Sequence, residues 1–91
     1  MEYTVNHNEG NHRFEVNRNG NLAFVEYDLA NGVMDICHTA VPVPMEGQGV
    51  GSEIMKTTLD YAREHHYKVV PTCPFARAYL LRHKDYKDLT H

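Results

Sequence analysis

Hydrophobic and polar positions alternate two by two along the first forty residues and then change period. Over residues 12–17, Phe14 and Val16 fall on one side and Arg13 and Glu15 on the other, the spacing of a half-buried strand. Asn19-Gly20 supplies residues that tolerate positive φ in a type I′ turn, so residues 22–27 return as the second arm of a hairpin. Asn31-Gly32 repeats the signal, and residues 33–41 follow as the third strand of an antiparallel meander. That strand is apolar on both faces toward its end, which places it centrally. Ahead of the hairpin, residues 3–6 alternate weakly and read as a short edge strand, and the polar run 7–11 reads as a loop.

From Gly49 to about His65 the period becomes helical. Val50, Ile54, Thr58, Tyr61 and Ala62 share one side with Met55 and Leu59 flanking, opposite Glu53, Lys56, Asp60, Arg63 and Glu64. This amphipathic helix crosses to a β-branched buried strand over residues 68–72, which the crossover sets parallel to the third strand of the meander. Pro74 suits a first helical position, and Phe75, Tyr79 and Leu80 give a short helix ending before His83, with one more turn over residues 85–89. The predicted fold is α+β: an antiparallel meander, one βαβ unit with its parallel pair near the sheet centre, and a terminal helix.

At 91 residues this is one domain, close to the lower limit for folding on a hydrophobic core alone. A net charge of −3, with scattered lysines and arginines, excludes the basic face of a nucleic-acid binder. No apolar run is long enough to span a bilayer and the first residues carry no apolar signal core, so the expected location is the cytoplasm, without a membrane partner. There, Cys37 and Cys73 are expected as free thiols. Seven histidines without metal-ligand spacing specify no metal site; His65, His66, His83 and His91 read as solvated.

Two strand-to-helix junctions carry the candidate chemistry. In the first, residues 41–52, a strand passes through Pro42 and Pro44 and the alternating glycines Gly47, Gly49 and Gly51 into a helix N-terminus. Unpaired amides there, at the positive end of the helix dipole, suit an anion, most often phosphate. The segment is neither a P-loop, since no lysine follows, nor a dinucleotide fingerprint, since Ser52 stands where a third glycine belongs. Close packing of helix on sheet explains the same glycines equally well. In the second junction, Cys73 falls at the N-cap of the last helix, where dipole and amides favour a thiolate; its plainer reading is an inert core cysteine. Ligands bind α/β units at the C-terminal ends of strands, where both junctions lie. Cys37 reads as core filler. His38, near the same crevice, is either a base or a structural residue, and Tyr79 is either a proton donor to a leaving thiolate or core.

Taken in order, His38-Thr39, Val41-Pro42, Gly47-x-Gly49-x-Gly51, residues 59–63, Pro71-x-Cys73-x-Phe75, Arg82-His83 and Tyr86 resemble the short YjdJ-type N-acetyltransferase domains of the GNAT superfamily, over nearly the whole chain from Phe14. The resemblance implies a GNAT-like minimal fold in which the parallel strands splay apart around acetyl-CoA. Thr39, Ala40 and Val41 would line the pantetheine, Gly47, Gln48, Gly49, Val50, Gly51 and Ser52 would hold the phosphates, and Tyr79 would adjoin the cofactor. Cys73 would be the catalytic residue, with His38 beside it, and the acetyl group would pass to an unidentified amine. Glu46 departs from the superfamily pattern, which wants Arg or Gln there, and its carboxylate opposes the pyrophosphate charge. The elements with which larger members enclose the acceptor are missing, so a monomer or weak dimer is expected, with part of the cleft supplied from elsewhere. The alternative is a non-catalytic acyl-CoA binding or interaction module on the same fold.

Overall fold

Two Asn-Gly turns frame the sheet. Asn19 and Asn31 take φ of 54° and 52°, and Gly20 and Gly32 follow at 77° and 76°, so both central positions of each turn are left-handed as a type I′ turn requires. The turns connect β2 (Arg13–Arg18) to β3 (Asn21–Ala30) and β3 to β4 (Val33–Ala40), following a short β1 (Asn6–Asn8). α1 (Val50–Glu64), β5 (Lys68–Val70) and α2 (Pro74–Arg82) complete the regular structure. This computed structural model describes residues 3–90. Met1, Glu2 and His91 lie outside the described residues, so the solvated reading of His91 has no structural counterpart.

The five strands pair in sequence order, antiparallel from β1 to β4 and parallel between β4 and β5. The α+β architecture, a meander followed by one βαβ unit, is thus as expected, with three local corrections. The first strand begins at Asn6, the last residue of the expected strand, and runs into His7 and Asn8 of the expected loop; the chain then makes a 3₁₀ turn over Glu9–Asn11, where Asn8 caps the Asn11 amide through its side chain. β4 is interior but apolar on one face only: Met34 and Ile36 are buried, whereas Asp35, Cys37 and His38 are not. β5 forms an edge, not a second buried strand, because Pro71 has no N–H to continue the ladder and Val70 stays exposed. The parallel pair therefore lies at the sheet's margin.

α1 covers one sheet face. Val50, Ile54, Met55, Leu59 and Ala62 are buried against Phe14, Val16, Val25, Met34 and Ile36. Thr58, also buried, satisfies its hydroxyl by donating to the Ile54 carbonyl at 2.9 Å. A C-terminal 3₁₀ segment, Lys84–Thr90, buries Tyr86 and Leu89, and the Tyr86 hydroxyl donates to Asp60 Oδ1 at 2.6 Å. Among the described residues no helix is long and apolar enough to cross a membrane.

Near the C-terminal part of α1, where it also meets Tyr61, His7 stacks on Phe14 with ring centroids 4.0 Å apart and meets the Tyr27 hydroxyl at 2.6 Å. Burial lowers the His7 pKa, Glu9 opposes that, and His65 adds to it. The folded protein therefore holds its proton less tightly than the unfolded chain. The resulting stability is present above the ordinary histidine value of about 6.5 and is lost as pH falls through the folded value. Thermal melts between about pH 7.5 and 5.5 should show wild-type Tm falling more steeply than that of His7→Gln; parallel curves would remove His7 from the account.

Candidate functional site

One irregularity in β4 shapes the site. Tyr27 pairs with Ile36 and Glu26 pairs with His38, so Cys37 is an extra residue without a partner on β3. A bulge of this kind bends its strand and resets which side chains face which way. Past it Thr39, opposite buried Val25, faces the helix side, whereas His38, opposite Glu26, faces the open side. The bulge also marks where the parallel strands part. Val33, Met34 and Asp35 pair with Lys68, Val69 and Val70, and the Cys73 amide donates to the Ile36 carbonyl at 2.9 Å. Beyond that bond residues 39–41 have no strand on the β5 side.

The chain then makes a 3₁₀ turn over Val43–Met45 that buries Met45, and enters the glycine loop. Gly47 and Gly49 take φ of 77° and 78° with nothing near the position of an added Cβ; their need is conformational. Gly51 is different, because a Cβ there would meet Phe75 Cζ at 3.0 Å and Val41 Cγ2 at 3.3 Å. Both readings of the glycines hold, at different positions. Gln48 anchors the loop: its side-chain amide donates to the Pro44 carbonyl at 3.1 Å, and its own carbonyl accepts from the Tyr3 hydroxyl at 2.9 Å. The Glu53 amide donates to the Gly49 carbonyl and opens α1, which leaves the amides of Val50, Gly51 and Ser52 without an intrahelical acceptor.

Where the strands part, a cleft of about 500 Å³ opens between the end of β4, the glycine loop and the start of α2. Thr39 lines it from β4 and Val41 from just past the strand's end, and Glu46, Gly47, Gly49, Val50, Gly51 and Ser52 from the loop and first helical turn. Met45 and Phe75 complete the wall. Neither was expected to line the site: Phe75 stood as a helix position and as part of the Pro71-x-Cys73-x-Phe75 motif, and Met45 is an apolar residue next to Pro44.

Cys73 is the N-cap of α2 with Pro74 at the first helical position. It is 5% exposed and does not line the cleft, but its sulfur is 3.4 Å from Oγ1 of Thr39, which does. Burial alone would push the Cys73 thiol up. The Thr39 hydroxyl and the backbone amides of Ala76, Phe75 and Thr39 outweigh that effect and bring it below its ordinary value.

The remaining candidates lie elsewhere. His38 is on the opposite sheet face, 5.7 Å from the Phe24 ring, because the bulge changes the alternation. Ala40, opposite Phe24, faces the same way. Gln48 supports the loop without lining the cleft. Tyr79 is buried in the core, stacked on His83 at 3.9 Å and 6.3 Å from Tyr86, and burial pushes its hydroxyl up. Its place beside the cofactor is not supported. Cys37 is not core filler either. It sits half-buried on the open face, 3.5 Å from Asp28 Oδ2, where burial, Asp28 and Asp35 push its thiol up.

Comparison with known proteins gives one answer at three levels. A family model described as GCN5-related N-acetyl-transferase matches residues 13–89. Protein NATD1 of Mus musculus is 29% identical over 79 residues, 84% of this chain and 72% of that protein. NATD1 of Homo sapiens is equally identical over the same share of this chain and 70% of its own length. The solution NMR structure of a GCN5-like protein from Staphylococcus aureus superimposes with a TM-score of 0.77 at 30% identity, covering 96% of this chain and 86% of that one.

Proposed function

The chain belongs to the GCN5-related N-acetyl-transferase family, and from that premise we propose that it binds acetyl-CoA in the cleft beside β4 and transfers the acetyl group to an amine. Its assignment to the short YjdJ-type domains is part of the same proposal. The observation that carries the reading is the cleft itself: the β4–β5 ladder stops after three pairs, and the gap is bordered by a glycine loop with unpaired helix-start amides. The donor set fits the cofactor. Gly47 and Gly49 hold the loop in a left-handed backbone, and Gly51 leaves open the space between Val41 and Phe75. The amides of residues 50–52 would take the pyrophosphate, and Thr39 and Val41 would line the pantetheine arm.

Bound acetyl-CoA would supply an acetyl group already activated as a thioester. The chain's own part is to hold the phosphates, keep water from the floor of the cleft with Val41, Met45 and Phe75, and place Cys73 beside Thr39, which lines it. In this reading Cys73 is the reaction-centre residue, because Thr39 and the first amides of α2 stabilise its thiolate. With labelled acetyl-CoA and a panel of amines, the account expects turnover in the wild type and its loss in Cys73→Ala. Label retained on wild-type protein but not on Cys73→Ala identifies transfer through the sulfur; turnover without retained label identifies direct attack by the amine. A second reading, a non-catalytic acyl-CoA binding module, is favoured by the near-complete burial of Cys73. Saturable binding without turnover would select it, and no thermal shift with acetyl-CoA would overturn both.

Glu46 lines the cleft where the phosphates would lie. Glu46→Arg should tighten acetyl-CoA binding by about 1 kcal/mol, roughly fivefold, with the gain shrinking as salt rises. Unchanged calorimetric affinity would discard this electrostatic role.

A further inference from the structure

We propose that a second groove, formed by the end of β5, α2 and the C-terminal 3₁₀ segment, docks an acidic peptide segment of a protein partner through one aliphatic side chain flanked by carboxylates. The groove encloses about 480 Å³, within the range of a site that seats a few side chains. Pro71, Leu80 and Leu81 line it, and Leu81 is 72% exposed.

The 3₁₀ segment explains its charge. Three residues per turn align every third side chain, so Lys84–Thr90 presents three separate stripes. Tyr86 and Leu89 enter the core. On the second, Asp88 pairs with Arg63 at 2.5 Å, and the same guanidinium donates to the backbone carbonyl of Asp85 at 2.7 Å. The third stripe, Lys84 and Lys87, lines the groove opposite Arg77, and no carboxylate lines it with them.

Among the described residues, Arg13, Lys56 and Arg63 stand in ion pairs with carboxylates, whereas Arg77, Lys84 and Lys87, like Lys68 and Arg82 outside the groove, stand in none. In a chain of net charge −3, three cations around an apolar floor complement an acidic occupant. Strand addition does not suit this wall, because the Arg77 guanidinium occupies the Pro71 and Thr72 carbonyls at 3.2 and 2.7 Å. In a second copy, the strand carboxylates Glu15, Glu26, Asp28 and Asp35 offer no protruding segment to enter a groove, and Glu46, on the glycine loop, lines the other cleft. This proposal does not depend on the acetyltransferase reading.

The test is fluorescence anisotropy with a labelled peptide of sequence Asp-Glu-Leu-Leu-Glu-Asp. Saturable binding is expected, weakening with salt, falling at least tenfold in both Lys84→Glu/Lys87→Glu and Leu81→Asp, and unchanged in Lys56→Gln. All the substituted side chains are exposed, and thermal melts of each variant establish that it folds. The proposal is overturned if the wild type does not bind the peptide, or if binding survives either groove substitution. Loss of acetyl-CoA affinity in the double variant would instead assign the cations to the cofactor. A wild-type dimer that Leu81→Asp dissociates would assign the groove to a second copy.

Discussion

Replacing Gly51 with valine should weaken acetyl-CoA binding at least tenfold while leaving a folded but less stable domain. Even a single added carbon at residue 51 would stand 3.0 Å from Phe75 Cζ and 3.3 Å from Val41 Cγ2. Valine adds two further methyls beyond that carbon. Phe75 and Val41 are both walls of the cleft, so relieving the clash moves one of them into the space assigned to the cofactor. Overpacking of this kind costs about 1–3 kcal/mol, and each kcal/mol lowers Tm by about 4–8 °C in a domain of this size. Calorimetry should find acetyl-CoA affinity reduced at least tenfold, about 1.4 kcal/mol. Gly51→Ala should lie between, because the Phe75 ring edge can give by a few tenths of an ångström. A Gly51→Val protein that binds as the wild type does would place the cofactor elsewhere.

Deleting Cys37 should have an effect of similar size by a different route. Cys37 is the unpaired residue of the bulge, and without it Ile36 would be followed directly by His38 in regular register with Tyr27 and Glu26. Thr39 would keep its facing, but the bend that carries residues 39–41 away from β5 would be lost. Straightened, β4 would lie closer to the Pro71–Cys73 segment and narrow the cleft. Acetyl-CoA affinity should fall at least tenfold with circular dichroism retaining the mixed sheet and helix signal. Cys37→Ser, which preserves the extra residue, should bind normally. If the deletion and Cys37→Ser behave alike, the bulge does not open the cleft.

The contrast between Cys37 and the turns shows what the chain disclosed in advance. Asn19-Gly20 and Asn31-Gly32 state their geometry locally, since both residues must take positive φ, and α1 announces its buried face through spacing alone. The glycine loop and the Cys73 N-cap were equally legible. A bulge leaves no such mark. Cys37 looks like any other strand residue, so His38 was expected near the crevice from its place three residues before Val41, and the register shift that puts Thr39 there instead was not visible. The edge position of β5 was hidden for a related reason: Lys68-Val69-Val70 has the composition of a buried strand, and only the missing partner beyond it exposes Val70. Tyr79 was left between proton donor and core because spacing gives the side of a helix but not the neighbour; in the structure it is core, against His83 and Tyr86.

The central claim is that peptide nitrogens at the start of α1 grip the cofactor's diphosphate at the place where β4 and β5 separate. Titrating nitrogen-15-labelled protein with acetyl-CoA and following every amide resonance tests it most directly. The account predicts saturable shifts that are largest at Gly47, Gly49, Val50, Gly51 and Ser52, smaller ones at Thr39 and Val41, and little change on the outer sheet face at Glu15 and Asp28. Saturable shifts centred anywhere else, or none at millimolar ligand, would contradict it.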